Sequence, residues 1–437
     1  MSGDSAVLLA FFRTLEAECI PYCVVGDVAG LPRIPANDID IVCAAEHQDR
    51  IGAAIHVLAE RFGGQVAQVL QHESNAFYRV LYLPDGLYLK LDVCSDYVVA
   101  ARRLLTAAWL LEGRRKVGGR AFFTCAPERE FAYYLMKKIS KGYAADAALR
   151  HLGALFDEAP APCRAVLTAT WAADEAAGIE RAVLARDWQL VKPSIGELRR
   201  QMTARHPRVP SAFFAEARRV AARVLQPSGF TIAVLGPDGS GKSTLLDALQ
   251  ERLAPLGRGV ARFHLKPPLT ATARAAAAPV DNPHGRAPRG LFLSTLKLGY
   301  FAVVYTAGWL STVWLLRRRS HVVLFDRYYH DILADPLRYR NGAPAWTVRF
   351  FARFVPRPDL FLILDASPNT VRARKAEVSA AESERQHAAY RALAHEIPGA
   401  HLVDANAAAE IVAGAGERLV VQAMAQRLSE RGFRGQH

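Results

Sequence analysis

The residues Gly236 to Ser243, in the order GPDGSGKS, carry the most specific chemistry in this chain. They match G-x-x-x-x-G-K-[ST], a spacing that brings backbone N–H groups, an ammonium and a hydroxyl to bear on phosphate oxygens and a magnesium ion. Gly236, Gly239 and Gly241 allow the backbone to turn its N–H groups inward. Lys242 sets a cation against the β/γ-phosphates, and the Ser243 hydroxyl reaches Mg²⁺. Asp238, Ser240 and Thr244 complete the expected ATP contacts. ATP and Mg²⁺ are therefore the expected cofactors.

A second constellation is acidic. Asp38 and Asp40 stand two apart in DIDIV, and Asp92 follows in LYLKLDV. Residues two apart on a strand project to one side. Three such carboxylates from adjacent strands suit a pair of Mg²⁺ ions about 3.5–4 Å apart, as in-line nucleotidyl transfer requires. The turn at Gly26 could bring backbone amides toward a triphosphate, and Lys137, Lys138 and Lys141 could line the same cleft.

These groups need elements to hold them. TIAVL before the phosphate loop reads as a buried strand and STLLDALQERL after it as an amphipathic helix. YCVVGD, DIDIVCA, FYRVLYL and LYLKLDVC read as strands, the last two joined by an Asp-Gly turn at 83–86. EREFAYYLMKKISKG has helical spacing and a terminal glycine stop. The helical pattern continues to about Arg223, where QPSG breaks it. Later strands are VVLFD, FLILD and HLVDA. The expected division is 1–125, a helical 126–225 and 226–437.

Composition sets outer limits. The 437 residues include 55 Lys and Arg against 42 Asp and Glu, a formal net charge of +13, which favours anionic partners. Charged residues make up 22%, which excludes a mostly disordered chain. The six cysteines form no C-x-x-C pair or zinc spacing, so reduced thiols and a cytoplasmic setting are expected. The acid ahead of the first apolar run argues against a secretory signal.

LGYFAVVYTAGWLSTVWLL, residues 298–316, is uncharged and precedes Arg317-Arg318-Arg319. Spanning a bilayer would put the phosphate loop and the later VVLFD strand on opposite sides. A buried helix, a homodimer face or peripheral contact with the inner membrane surface remain, with self-association the first expectation.

In order, DGSGKST, the strand end Asp326-Arg327-Tyr328 and the basic Arg372-Ala-Arg374-Lys375 resemble the thymidylate kinase branch of the nucleoside monophosphate kinases, over about residues 230–430. The resemblance implies a parallel-sheet P-loop fold. In it Asp326 organises Mg²⁺ or the acceptor hydroxyl, Arg327 pairs with the acceptor's anionic group, and Arg372 and Arg374 close over the transferring phosphate. The acceptor region departs from that family. FHLKPPL and the insert VDNPHGRAPRG stand there, with Lys266, His284, Arg286 and Arg289 as substitute anion contacts. The acceptor therefore need not be dTMP.

Gly26, the Asp38/Asp40 pair and Asp92 resemble the polymerase-β-like nucleotidyltransferases. That resemblance implies a small mixed α/β fold with metals on Asp38, Asp40 and Asp92. Where that superfamily has Ser, this chain has Asp27, which removes a hydroxyl and adds repulsion toward phosphate. The expected whole is an α/β multidomain enzyme: nucleotidyltransferase, helical connector and kinase. It would phosphorylate a nucleotide or a sugar- or polyol-type small molecule and make a nucleotide-activated precursor. Two alternatives are a nucleoside monophosphate kinase with an inactive first module, and a nucleic-acid end-processing enzyme. No nucleic-acid-binding module supports the latter.

Overall fold

Alternation of apolar and polar residues in the first third builds a mixed sheet. Its strands are β1 Tyr22–Val25, β2 Ile39–Cys43, β3 Gln65–Glu73, β4 Ala76–Tyr82 and β5 Tyr88–Cys94, in the order β1-β2-β5-β4-β3. The β2–β5 pair is parallel and sets Asp40 opposite Asp92. The β4–β5 hairpin turns where Asp85-Gly86 stands, with Gly86 at φ +79°. The short β6 Tyr97–Val99 and β7 Arg102–Leu105 form a separate hairpin. This computed structural model describes residues 3–73, 75–116, 118–269, 287–374 and 379–432.

Two compact units result: Met1–Ala222 with Leu428–His437, and Arg223–Arg427. The helical segment expected to stand alone is part of the first. Its core joins Cys23, Val25 and Val42 of the sheet to Phe131, Leu135 and Leu152 of the helices. A sheet face this apolar must be covered, and these helices cover it. The helix Pro127–Lys141 ends where expected, at Gly142 in the left-handed region.

In the second unit the apolar runs are strands β8 Phe230–Leu235, β9 Gly259–His264, β10 His321–Asp326, β11 Leu360–Asp365 and β12 Ala400–Asp404. Their order is β12-β11-β8-β10-β9, and every pairing is parallel. All six residues of β8 are buried, as a central strand covered on both faces requires.

The apolar stretch lies in a helix running Leu291–Arg318, with a π-helical turn at Trp309–Val313. One side of it packs through Leu298, Ala302, Tyr305 and Trp309. The other side leaves Phe292, Tyr300 and Val303 exposed, so it is not a fully buried helix. Among the described residues it is the one helix long and apolar enough to cross a membrane. It connects β9 to its parallel neighbour β10, so it returns to the same sheet.

Candidate functional site

Strand β8 delivers the phosphate loop, and the helix Lys242–Arg252 leaves it. Gly236, Gly239 and Gly241 have φ of +148°, +82° and +95°, which side chains resist. A Cβ on Gly236 would also meet Ser240 Oγ at 2.9 Å. Lys242 is buried and donates to the carbonyl oxygens of Gly236 at 2.9 Å and Pro237 at 2.7 Å. Burial, then the Arg327 charge, pulls its ammonium down to about 7. Ser243 and Thr244 are exposed at the start of the helix, and Ser240 is buried in the loop.

The end of β10 lies level with the loop, since Asp326 pairs with Val234 and the amide of Arg327 donates to Val234. Burial alone would raise the Asp326 carboxyl. The bond from His264 and the Lys242 and Arg327 charges outweigh it and hold Asp326 below the usual carboxylate value. Asp326 is thus an anionic oxygen donor beside a cationic loop.

Arg327 departs from its expected role. Rather than facing an acceptor, it is 2% exposed, has φ +69°, and is clamped by Asp238, Asp331 and Tyr390. Asp331, fully buried, also accepts from Tyr339 at 2.8 Å and Tyr390 at 2.7 Å. A guanidinium this buried is stable only where carboxylates surround it. Asp238 is shared with Arg338, a residue the sequence reading missed. Arg327, Lys242 and Arg338 outweigh burial and hold the Asp238 carboxyl well below its ordinary range.

The basic segment occupies the helix Pro368–Arg374. Arg372 and Arg374 are exposed, and Arg374 Nη1 lies 3.7 Å from where a Cβ on Gly241 would sit, so this arginine reaches the loop. Lys375, His284 and Arg286 lie outside the described residues. Lys266 faces the Tyr300 ring at 5.8 Å, and Arg289 lines an open groove beside that ring.

In the first unit, Asp38, Asp40 and Asp92 come together: one carboxylate oxygen from each lies within 4.8 Å of the others. Asp92 is 8% exposed and its Oδ1 has no hydrogen-bond partner. Burial and then Asp40 push its carboxyl up to about 7, with Lys137 opposing. Lys137 bonds Asp40 at 3.1 Å, and His72 lies 3.5 Å from Asp92. Three hard oxygen donors and an orphaned buried oxygen fit a divalent cation.

Lys137 is therefore held by Asp40 rather than open to a triphosphate. Lys138 lies over the Tyr134 ring at 4.5 Å, and Lys141 is exposed. Gly26 also differs from expectation. Its amide donates to Glu130 at 2.8 Å, and Glu130 receives His151 at 2.7 Å. A buried carboxylate thus occupies the amide expected to face phosphate. Asp27 turns back to the amide of Ala29 at 3.0 Å.

No family model matches the chain. Thymidylate kinase of Xanthomonas campestris pv. campestris is 31% identical over 214 residues, covering 47% of this chain and 88% of that protein. Thymidylate kinase of Xanthomonas oryzae pv. oryzae is 30% identical over 225 residues, covering 48% and 90%. Among solved structures, thymidylate kinase from Ehrlichia chaffeensis is similar at 17% identity and a TM-score of 0.33, over 44% of this chain and 98% of its own.

Proposed function

Because the chain belongs to the thymidylate kinase family through about half its length, we propose that it is a bifunctional enzyme that phosphorylates a small acceptor with ATP and transfers a nucleotidyl group at a second centre. ATP-dependent phosphotransfer follows from the family. The acceptor and the second activity are our reading.

In the kinase half, the loop amides and Lys242 bind the β/γ-phosphates, and the loop helix adds its positive end. A phosphate entering would replace the Gly236 and Pro237 carbonyls as Lys242's partner. Arg374 neutralises charge on the transferring group from beside Gly241. Arg327 acts through Asp238, fixing the loop acid rather than touching the acceptor. Ser243 and Asp326 would hold magnesium here, and Asp38, Asp40 and Asp92 in the first unit. Bound magnesium supplies Lewis-acid charge neutralisation at both centres.

In the first unit, the reaction would join an acceptor oxygen to the α-phosphorus of a nucleoside triphosphate and release pyrophosphate. Asp40 and Asp92 are positioned for it by parallel pairing, and Lys137 holds the Asp40 carboxylate in place. The observation that carries this reading is the buried Asp92, which has one unpaired carboxylate oxygen and shares with Asp38 and Asp40 a cluster whose ligand oxygens lie within 4.8 Å of one another. A second reading, a kinase whose first unit no longer transfers nucleotides, is favoured by the Glu130 carboxylate on the Gly26 amide and by Asp27. The screen that separates them offers each NTP with nucleosides, nucleotides, sugars and polyol phosphates, and identifies products by mass. Phosphorylated products accompanied by nucleotidyl products and pyrophosphate support bifunctionality. Phosphorylated products alone support the second reading.

A further inference from the structure

A pocket of about 400 Å³ adjoins the acid cluster of the first unit, a size that suits a small molecule. Two of its wall residues are partners of the acids themselves: His72, 3.5 Å from Asp92, and Lys137, 3.1 Å from Asp40. Lys137, Ser140 and Lys141 stand three and four residues apart on the helix Pro127–Lys141, so they share one face. The end of β3 adds His72 and Glu73. The β6–β7 hairpin turns at Ala100 and Ala101, at φ +50° and +60°, and the Ala101 carbonyl accepts from the Val209 amide at 2.8 Å. The helix Pro210–Leu225 contributes Ala212, Glu216 and Arg219. Alanine at 100, 101 and 212 keeps side-chain volume out of the space.

The charges on its wall are of both signs, and two cations are left incompletely matched. Lys137 is taken by Asp40. Arg219 gives Nε and Nη2 to Glu216, the first at 2.9 Å, while its buried Nη1 has no hydrogen-bond partner. Lys141 is exposed and has no ion-pair partner among the described residues. The Glu73 carboxylate and the Ser140 hydroxyl, which accepts from Tyr97 at 2.9 Å, remain as partners for hydroxyl groups. The carbonyl end of a helix ordinarily disfavours an anion. Here Arg199 donates to the carbonyls of Ile139 at 2.9 Å and Ser140 at 2.8 Å, which offsets that field.

Resting on the reading of the first unit as a nucleotidyl-transfer centre, we propose that this pocket holds the acceptor and that the acceptor is a small polyhydroxylated phosphomonoester. Its phosphate lies on Lys141 and Arg219, and its reacting oxygen lies by His72 and Lys137, next to the acids. Lys141 is one helical turn from Lys137, about 6 Å along the axis, so roughly five single bonds separate the two ends of the molecule. A polyol phosphate or a monosaccharide phosphate has that span. A nucleoside triphosphate is the poorer occupant, because Glu73 and Glu216 would repel so dense an anion. A nucleobase also finds no open ring to stack on: Tyr97 is buried and packs T-shaped on Tyr133. A kinase acting on a polyol or sugar makes this class of compound, so the two centres would act on one molecule in turn.

The test is hydrogen exchange of the full chain with glycerol 3-phosphate, ribose 5-phosphate or glucose 6-phosphate, and with glycerol, ribose or glucose, read beside pyrophosphate release. At least one of the phosphates should slow exchange, saturably, in the peptides that hold 97–101, 137–141 and 212–219. The unphosphorylated partner should need roughly tenfold more for the same protection. Lys141→Ala, at an exposed side chain, should weaken the phosphate's binding about tenfold and leave the plain polyol unchanged. Ala212→Phe, which fills the space without altering charge, should remove the protection by both. Unchanged exchange of the β2 and β5 amides in the unliganded variants reports that the unit is still folded. Protection without pyrophosphate release keeps the site and overturns the nucleotidyl-transfer reading. Pyrophosphate release that neither variant alters overturns the site and keeps that reading. Equal protection by phosphorylated and plain polyols, or none by either, also overturns the site.

Discussion

Asp331→Asn tests whether the buried cluster under the phosphate loop is held by charge. Asp331 accepts from Arg327, Tyr339 and Tyr390, and none of the three has much access to water. Asparagine keeps the volume, removes the charge, and presents an NH₂ group where a carboxylate oxygen had accepted from Arg327 and two tyrosine hydroxyls. Breaking a buried ion pair costs about 3–5 kcal/mol, and Arg327 retains Asp238, so the lower end, about 3 kcal/mol, is expected. Tyr390→Phe removes one hydroxyl and should cost only about 1 kcal/mol. Hydrogen exchange of the β8 and β10 amides, read peptide by peptide in the full chain, isolates this unit from the other. At about 1.4 kcal/mol per factor of ten, those amides should exchange roughly a hundredfold faster in Asp331→Asn. Acceleration below threefold, or an effect no larger than that of Tyr390→Phe, would refute the charge argument.

Lys242→Ala should abolish ATP-dependent phosphoryl transfer with the fold intact, because its charge on the transferring group contributes about 3 kcal/mol or more; unchanged turnover contradicts the assignment of the loop. His330 should make the second unit acid-sensitive. Burial, then Arg357, lowers its pKa from 6.5 to about 4, its Nδ1 has no partner, and it lies 5.1 Å from the Phe361 ring. The fold favours neutral imidazole, so this stability is fully present above pH 6.5. It is lost as pH falls from 6.5 to 4, to a limit of about 3 kcal/mol. Denaturant titrations of wild type and His330→Phe across that range should show the variant losing less, and identical pH slopes would exclude the effect.

The sequence stated the parts that local pattern controls. GPDGSGKS after TIAVL gave the loop, and apolar runs of strand length gave β8, β10, β11 and β12. The 3.6-residue spacing and final Gly142 gave the helix Pro127–Lys141. The acid triplet was legible because side-chain alternation fixes which residues share a face, although the parallel register pairing Asp40 with Asp92 is not written locally. Strands β3 and β9 escaped notice: QVAQVLQHE and GVARFH mix polar residues into the run and lack a clean alternation. The partition of Arg327 was out of reach for a different reason. Its partners Asp238 and Tyr390 are 89 and 63 positions away, so only the tertiary fold decides that it binds the loop acid instead of an acceptor. Asp331, one helical turn beyond Arg327 in DRYYHD, was the available hint. The Glu130 bond to Gly26, across 104 positions, had no signal at all.

The proposed pair of independent centres predicts effects that separate by mutation. Pyrophosphate release and phosphoryl transfer are measured side by side on the full chain, with Mg²⁺, all four NTPs and the same acceptors, for wild type, Asp40→Asn, Asp92→Asn and Lys242→Ala. The account predicts that Asp40→Asn and Asp92→Asn each lose pyrophosphate release and keep kinase turnover, and that Lys242→Ala does the reverse when phosphorylated acceptor is supplied. Pyrophosphate release that survives both asparagine variants, or that never occurs in wild type, would contradict it.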